Sequence, residues 1–373
     1  MPRSNNLDAL RLVGAVAVIV GHAYFLLGRP ENDPIVLGYP IATLGVVVFF
    51  SISGYLITAS WNRKRDPVSY LTARVLRIFP GLVVLVLVTV LVLGPLTTTS
   101  SVSEYFDLPR TWSYLTNIWL RPQYDLPGVF LDIPYPNAVN GSLWTLPAEF
   151  FCYLAVPLLM LWPRRFRPVT VAAFLVVSLW LGSVPPDQSP VVYGSRLSDA
   201  AGMWVFFASG CLLRLATERW GVRFFRTDVA VAVVSAYAVF IAVVAGKTPW
   251  VSWLALPYAV LAIGLASTPV VRRAARYGDM SYGLYLWAFP VQQVLVGELG
   301  VRRMLVDIPL VTAVTLVLAF LSWHAVEHPS LRLKDKITAR VAARRGTSTP
   351  PTREAVSAEA PETQPVVVEG AGR

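Results

Sequence analysis

The sequence predicts an all-α fold, a polytopic membrane protein with about ten transmembrane helices. Of its 373 residues, 55% are hydrophobic and only 14% are charged, whereas about 25% charged residues is usual in a soluble domain. The apolar residues form continuous runs, most of them close to the roughly 20 residues that a helical crossing of a bilayer needs. Continuous runs are typical of membrane helices, because strands of membrane barrels alternate between apolar and polar residues.

Ten such runs follow one another along the chain. The first is long for a signal peptide and lacks a small-residue cleavage site, so it is predicted to be the first membrane helix. The runs at 169–184 and 200–215 are shorter than the others. The ten predicted spans are 8–28, 39–61, 73–94, 144–162, 169–184, 200–215, 228–246, 250–268, 280–297 and 309–328.

The positive charges predict the orientation of these spans. With a cytoplasmic N-terminus and alternating spans, 24 Lys and Arg residues fall on the inner side and 7 on the outer side, with Arg11 inside the first span. This bias places both termini in the cytoplasm of a multi-pass protein of the plasma membrane. The net charge of +10 comes from these clusters, so the predicted partner is membrane lipid and not nucleic acid.

The chain divides into a membrane domain, residues 1–329, and a tail, residues 330–373. The membrane domain contains a long extracytoplasmic loop at 95–143, rich in Pro, Tyr, Trp and Asp. The tail begins basic and becomes rich in Pro, Thr, Glu and Ala, which predicts a disordered cytoplasmic extension. Cys152 and Cys211 lie in apolar runs without metal-ligand spacing, so they are predicted to be core residues and no metal site is expected.

Arg11 and His22 are ionisable residues within the first span, where charge is costly. Eleven residues of α-helix make three turns plus about 20° and rise about 16 Å, so both side chains share one face at different depths. One interpretation is structural: Arg11 anchors the helix at the inner surface and His22 bonds another helix. The other is that both serve a function.

Three further segments carry polar groups into apolar runs. Arg74 and Arg77 lie three residues apart in TARVLRIFP. They are interpreted either as anchors at the inner membrane surface or as a binding site for the phosphates of an anionic ligand. Glu149 lies within NGSLWTLPAEFFCYL, where a carboxylate requires a partner or a role. Ser53 and Gly54 are small residues in GVVVFFSISGYLIT, a pattern that also serves close helix packing.

At these residues the sequence resembles the acyltransferase-3 family of multi-pass membrane acyltransferases. Arg11 and His22 match the family's Arg, ten residues, His signature in the first span. Five further fragments follow in the family's order: FFSISGYLI, RVLRIFP, NGSLWTLPAEFFCY, GDMSYGLYLWAFP and VEHP. The late motif departs from the family at Ala288, where a histidine is frequent, so a proton relay at that position is not expected.

The resemblance implies an enzyme that moves an acyl group, acetyl or succinyl, from cytosolic acyl-CoA to a hydroxyl of a cell-envelope glycan, an exported glycan or a lipid-linked saccharide. His22 is the candidate general base, and Glu149 is expected to orient its imidazole. Arg11, Arg74 and Arg77 are expected to hold the CoA, whose pantetheine arm would extend along a groove beside the first helix to His22. Four residues are predicted to line the substrate pocket, with packing as the alternative: Ser53, Trp144, Tyr282 and Tyr285.

Other interpretations stay open. The acceptor can instead be a small glycosylated metabolite such as a macrolide sugar, or the chain can be a proton-coupled transporter, since intramembrane Arg, His and Glu also suit proton transfer. Many family members carry an added extracytoplasmic hydrolase-like domain; without it, the chain is expected to act directly or with a separate extracytoplasmic transferase. His324, Glu327 and His328 are interpreted as residues that shape the end of the last span.

Overall fold

The computed structural model describes residues 5–244, 251–274 and 276–344. An α-helix lies at each of the ten predicted runs, and parts of the runs 228–246 and 250–268 lie outside the described residues. The described helices are α1 (Leu7–Leu26), α2 (Ile41–Lys64), α3 (Pro67–Val88), α4 (Gly94–Thr97), α5 (Val102–Asp107), α6 (Pro109–Ser113), α7 (Thr145–Leu159), α8 (Arg167–Gly182), α9 (Leu197–Trp220), α10 (Thr227–Val243), α11 (Ser252–Leu265), α12 (Ser281–Gly297), α13 (Met304–Ser322) and α14 (His328–Arg344).

Five helical stretches of the described chain are long and apolar enough to cross a membrane. α7, α8, α10 and α11 are also apolar but contain only 14 to 17 residues. The chain is therefore a helical membrane protein, while ten crossings and the orientation stay predictions. The five long stretches are Leu7–Leu26, Ile41–Arg63, Pro67–Thr97, Leu197–Trp220 and Met304–Val341.

Strand structure within the described ranges is limited to two short hairpins. β1 (Ile35–Val36) pairs with β2 (Tyr39–Pro40), and β3 (Val191–Val192) pairs with β4 (Ser195–Arg196), both antiparallel. The loop predicted at 95–143 is partly helical, because it contains most of α4, α5, α6 and the 3₁₀ turn Tyr114–Trp119.

Glycines allow α2 to lie very close to its neighbours α1 and α9. A Cβ on Gly54 would lie 2.0 Å from the carbonyl oxygen of Phe207, and one on Gly210 would lie 2.3 Å from that of Ser51. Small residues at such crossings let helix backbones approach in a membrane, where no hydrophobic force drives association. The packing interpretation of Gly54 is thus confirmed.

The contacts of α1 define two sides of the bundle. Gly21 faces Ala42 and Gly14 faces Gly45, so α1 and α2 run antiparallel. The end containing the start of α1 is called the Arg11 side, and the end containing the C-terminus of α1 and the start of α2 is called the His22 side. α12 runs parallel to α1, because Asp279, just before α12, reaches Arg11 and Phe289 reaches His22.

α3 begins and ends with recognisable local signals. The Asp66 carboxylate accepts hydrogen bonds from the amides of Val68 and Ser69, at 3.3 and 2.8 Å, and Pro67 occupies the first helical position. Both features favour a helix start. Beyond Val88 the helix widens into a π turn at Thr89–Leu93 before continuing as α4.

The prediction of a disordered tail is wrong for residues 330–344. After a π turn at Trp323–Glu327, the chain continues as α14, which packs against α3. Leu331, Lys334, Ile337 and Val341 are half-buried at spacings of three or four residues, so this basic segment has one less exposed face and is amphipathic. Residues 345–373 lie outside the described range.

The core prediction for the two cysteines is confirmed. Cys152 and Cys211 are free thiols with no exposed surface, and both belong to the largest apolar cluster of the bundle. In the described part of the chain no group of His, Cys, Asp and Glu side chains is arranged to hold a metal ion.

Candidate active site

His22 lies in the second half of α1 with its ring against α12. The ring meets Phe289 edge-on, with 5.2 Å between ring centroids. Its Nδ1 is buried and has no hydrogen-bond partner among the described residues. Of the two other histidines, His324 is exposed and His328 stacks on Trp323 near the Arg11 side. The imidazole of His22 is therefore the histidine available for chemistry inside the bundle.

A non-helical segment covers the His22 side; residues 130–141 are called the cover segment. The ring of Tyr135 lies 6.3 Å from that of Phe289, with an edge-on geometry. The Gln293 amide of α12 donates to the carbonyl oxygens of Tyr135 at 3.0 Å and Ala138 at 2.6 Å. These bonds fix the cover segment against α12, beside the Phe289 ring that meets His22.

An ion-pair cluster joins four parts of the chain at the Arg11 side. Arg77 contacts Asp279 at 2.8 Å and Glu327 at 3.6 Å, and Arg11 contacts Asp8 at 3.3 Å and Asp279 at 3.8 Å. Glu327 has only 1% of its side chain exposed. Among the described residues the cluster holds three carboxylates and two guanidinium groups, so both guanidinium groups already lie beside acids.

Glu149 belongs to a second polar group, the Glu149 cluster, formed with Ser53, Arg74 and Tyr153. One Glu149 oxygen, Oε1, accepts hydrogen bonds from the hydroxyls of Ser53, at 2.9 Å, and Tyr153. The Arg74 guanidinium carbon lies 5.7 Å from the centre of the Tyr153 ring, and the buried Arg74 Nε has no hydrogen-bond partner. In the described ranges no carboxylate lies within salt-bridge distance of Arg74, unlike Arg77.

The structure does not bring Glu149 to His22. Ala42 faces Gly21, the neighbour of His22, and Ser53 lies eleven residues further along α2. At 1.5 Å per residue, Ser53 and its partner Glu149 are about 16 Å from the level of His22 along the bundle. The expectation that Glu149 orients the His22 imidazole is therefore wrong.

Glu149 lies at the Arg11 side because the chain is already inside the bundle before α7 begins. Val139, Asn140, Ser142 and Leu143 are each at most 2% exposed although they precede the helix. The Asn140 amide is bound at 3.0 Å to a backbone carbonyl of α12. Glu149 follows Ser142 by seven residues, about two helical turns, and therefore lies past the middle of the bundle, at the Arg11 side.

Two of the predicted pocket tyrosines lie on the face of α12 that connects the two sides. Tyr282 lies at Arg77, 5.4 Å from ring centre to guanidinium carbon, and its hydroxyl donates to the Ile78 carbonyl. Tyr285 packs edge-on against Phe49 and donates to the Ser142 carbonyl. Both hydroxyls hold helices together, while the rings, with Phe289, form a ladder of aromatic side chains from the Arg11 side to His22.

The other two predicted pocket residues, Trp144 and Ser53, do not lie beside His22. Trp144 is half-buried just before α7, where its carbonyl accepts from Ser195. Ser53 is 7% exposed and committed to Glu149. Neither residue contacts the imidazole in the structure.

The apolar groove of about 480 Å³ between α3, α12 and α13 does not contain His22. It is lined by Trp287, Val291 and Val294 of α12. Trp287 and Phe289 are two residues apart and thus point to nearly opposite faces of the helix. This groove is therefore not the predicted passage for a pantetheine arm to His22.

Asp279, Glu327 and Tyr153 are site residues that the sequence argument did not assign. Asp279 precedes Ser281 and accepts a hydrogen bond from its hydroxyl at 2.6 Å, which is a helix-start signal. Glu327 is buried against Arg77 and is not an interface residue. An acid within the apolar run 309–328 was the signal that could have identified it.

Known proteins resemble the chain over most of its length. The family model described as an acyltransferase domain matches residues 4–324. An O-acetyl transferase of Shigella phage Sf6 is 32% identical over 337 residues, which cover 88% of this chain and 96% of the relative. No solved structure matches the chain.

Two further relatives differ in length. Nodulation protein 10 of Rhizobium leguminosarum bv. viciae is 31% identical, and the match covers 90% of this chain and 95% of the relative. The peptidoglycan O-acetyltransferase OatA of Listeria monocytogenes is 24% identical, and the match covers 87% of this chain but 55% of the relative. The region in common thus makes up nearly all of two relatives and about half of the third.

Proposed function

The chain belongs to the acyltransferase-3 family and is an O-acyltransferase, and on this premise we propose that it moves an acetyl group from cytosolic acetyl-CoA to a hydroxyl of a cell-envelope or exported glycan. The observation that carries the proposal is an imidazole with a free ring nitrogen at the His22 side and, at the Arg11 side, the Arg74 guanidinium, which no carboxylate of the described residues approaches within salt-bridge distance. The names of two relatives support acetyl as the acyl group, and peptidoglycan in one name supports a glycan acceptor.

The proposed orientation places the Arg11 side at the cytoplasm. The excess of Lys and Arg in the inner loops supports both termini inside and ten crossings of the plasma membrane. In this orientation the Arg residues of α1 and α3 face the compartment that holds acyl-CoA, and the cover segment faces the opposite compartment, where an exported glycan would arrive.

Arg74 is the proposed first ligand of the CoA phosphates. Its guanidinium lies near the rings of Tyr70 and Tyr153, at 5.8 and 5.7 Å, and no carboxylate of the described residues is within salt-bridge distance, so a phosphate would not have to replace an acidic partner. Arg77 and Arg11 already contact acids and would join only if the ion-pair cluster rearranges. Glu149 then acts on the donor side, where it fixes Tyr153 beside Arg74.

The acyl-bearing arm is proposed to follow the aromatic ladder of α12. From Asp279 to Phe289 the helix rises about 15 Å, and from Arg11 to His22 about 16 Å. These two estimates agree with the reach of an extended pantetheine arm. The thioester would then lie beside His22 while the nucleotide stays at the Arg11 side, a positioning that lowers the entropic part of the barrier.

His22 is proposed to act as general base and then as general acid. As the acceptor hydroxyl oxygen attacks the thioester carbonyl carbon, the imidazole takes the hydroxyl proton. The tetrahedral intermediate collapses with cleavage of the carbon–sulfur bond, and the same proton passes from the imidazole to the leaving thiolate of CoA. The products are an ester and free CoA, and no covalent acyl-enzyme is required.

The test is acyl transfer by purified protein in vesicles with radiolabelled acetyl-CoA and candidate glycans. We expect ester formation by the wild type and at least a 100-fold loss in His22→Ala, since general base catalysis contributes about 10²–10⁴-fold. His324→Ala, an exposed histidine near the Arg11 side, is the matched control and should keep its activity. Ester formation by His22→Ala at the wild-type rate would contradict the assignment, and uptake of substrate without ester formation would indicate a transporter.

A further inference from the structure

Gln292 of α12 and Asp307 of α13 form a buried polar pair that the proposed mechanism has not used. Both side chains have no exposed surface. The Gln292 amide nitrogen donates a hydrogen bond to Asp307 Oδ2. Two acceptor oxygens of the pair, Gln292 Oε1 and Asp307 Oδ1, have no partner among the described residues. Buried acceptors without partners are uncommon and call for an explanation.

The pair lies at the level of His22. On α12, Ala288 packs with Ile19 and Phe289 contacts the imidazole. Gln292 lies one helical turn beyond these two residues on the same part of the helix surface. His22 lies three residues beyond Ile19, so the two side chains are at matching heights on neighbouring helices.

α13 approaches the same level from the other direction. Ile308, which follows Asp307, packs against the apolar cluster that contains Ala23, which follows His22. Gly283 of α12 faces Ala319 of α13, so these two helices run antiparallel. Asp307 is therefore the buried carboxylate at the height of His22, whereas Glu149 lies about 16 Å away along the bundle.

The unpartnered atoms are complementary. His22 Nδ1 lacks a partner, and in one tautomer of the neutral ring this nitrogen carries a hydrogen to donate. Gln292 Oε1 can only accept, because its amide nitrogen is the donor to Asp307. His22 Nδ1 can thus supply a donor to Gln292 Oε1, one of the unpartnered acceptors among the described residues at this height of the bundle.

We propose that Gln292 and Asp307 are positioning residues for His22. In the reacting complex the Nδ1 hydrogen of His22 is donated to Gln292 Oε1, and the Gln292 amide donates to the Asp307 carboxylate. This holds Nε2 without a hydrogen, facing the acceptor hydroxyl, so Nε2 is the nitrogen that takes the proton. Catalytic hydrogen bonds are often long in the free protein and shorten in the reacting complex, so the Gln292 oxygen is proposed to favour the Nδ1–H tautomer of His22 already before the substrates bind.

A purely structural role of Asp307 is the competing explanation. Asp307 lies in the first turn of α13, where a carboxylate stabilises the positive end of the helix dipole. That role accounts for the acid but not for Gln292, whose free acceptor oxygen gains nothing from the helix dipole. A third residue that donates a hydrogen bond to Gln292 Oε1 explains the pair better, and His22 Nδ1 is a suitable donor at this height.

The first test measures the tautomer of His22 in the absence of any substrate. ¹⁵N-histidine NMR of the full protein shows which ring nitrogen carries the hydrogen, and the His22 signal is identified by its loss in His22→Ala. We expect the Nδ1–H form in the wild type and a shift toward Nε2–H in Gln292→Met, which keeps the length of the side chain. An Nε2–H ring in the wild type, or an unchanged ratio in Gln292→Met, overturns the proposal.

The second test uses acyl-transfer kinetics and rests on the proposed function. Gln292→Met and Asp307→Asn should lower kcat by about 10- to 100-fold, the usual effect of losing such supporting groups, with KM for acetyl-CoA unchanged. Asp307→Asn keeps the shape of the pair and remains informative if Gln292→Met does not fold. Thr315→Val, a buried α13 hydroxyl two turns away without a partner, is the control and should leave kcat unchanged.

The two tests separate the two failures. Wild-type kcat in both pair variants overturns the positioning role even if His22 is essential. If His22→Ala remains fully active, the proposed base is wrong, while the NMR result still decides whether the pair fixes the ring.

Discussion

Arg74 and Arg77 lie one turn apart on α3, yet their surroundings differ in charge. Arg77 contacts the carboxylates of Asp279 and Glu327, whereas Arg74 lies beside the rings of Tyr70 and Tyr153. An arginine already paired with carboxylates gains less from a phosphate than one without such partners. The two residues are therefore expected to differ in function, although the sequence pattern treats them alike.

Replacing Arg74 should weaken donor binding without changing the chemistry. A hydrogen bond to a charged group contributes about 1.5–3 kcal/mol, so Arg74→Ala should raise KM for acetyl-CoA roughly 10- to 100-fold. The measurement is the initial rate of ester formation at varied donor concentration. Arg164→Ala, an exposed arginine in the loop after α7, is the control. A KM that changes equally in both variants would mean that Arg74 acts only through general surface charge.

At the residue scale, the sequence points to His22, Arg11, Arg74 and Arg77 as site residues, which stay predictions, and it does not give the side chains that they contact. The partners depend on how helices far apart in the chain are rotated against each other, which a single run does not specify. Glu149 illustrates the limit: its position within a run was evident, but its depth depended on a buried, non-helical entry to α7. Gln292 and Asp307 became significant only when α12 and α13 were seen to face α1.

At the scale of elements, the crossing of α2 and α9 depends on glycine at both contact points. Gly54 and Gly210 each lie so close to a backbone carbonyl of the other helix that a methyl group cannot fit without separating the helices. Gly202, also on α9, has open space where its Cβ would be. The chain thus offers a matched pair of glycines for a test of this contact.

Gly54→Ala should destabilise the protein by about 1–3 kcal/mol or more, the usual cost of overfilling a packed contact. Gly202→Ala should keep or slightly raise the stability, since alanine is favoured over glycine in an open helix position by about 1 kcal/mol. Thermal unfolding in detergent, followed by the loss of the monodisperse peak in size-exclusion chromatography, measures both. Equal midpoints for the two variants would show that the close crossing is not a stability determinant.

The positions of the helices were largely predictable because apolar runs in a membrane protein have few alternatives to helix. The tail was not: its basic composition suggested disorder, while residues 330–344 belong to α14, which packs on α3 and has one half-buried face. Composition averages over a segment and so conceals a narrow apolar face. The π turns at Thr89–Leu93 and Trp323–Glu327 are each followed two residues later by a proline, Pro95 and Pro329, which removes the backbone donor to a carbonyl within the turn.

At the scale of the whole molecule, the orientation in the membrane follows from charge and can be measured directly. The native cysteines are fully buried, so they should not react with a membrane-impermeant maleimide. In intact cells Glu104→Cys, in the segment between α3 and α7, should be labelled, and Arg164→Cys should be labelled only after the membrane is opened. Both side chains are exposed in the protein. The reverse pattern would invert the proposed orientation and place the arginines on the wrong side for cytosolic CoA.

The ion-pair cluster also has a consequence for how the protein is made. Arg77 and Asp279 are 202 residues apart in the chain, and Glu327 follows later still. At about 5–20 residues per second of translation, Arg77 emerges roughly 10–40 s before its first acidic partner exists. During that interval α3 must enter the bilayer with its guanidinium held at the water interface. The ion-pair cluster at the Arg11 side is therefore completed late in biogenesis. A nascent chain released before α12 lacks the Asp279 and Glu327 contacts of Arg77.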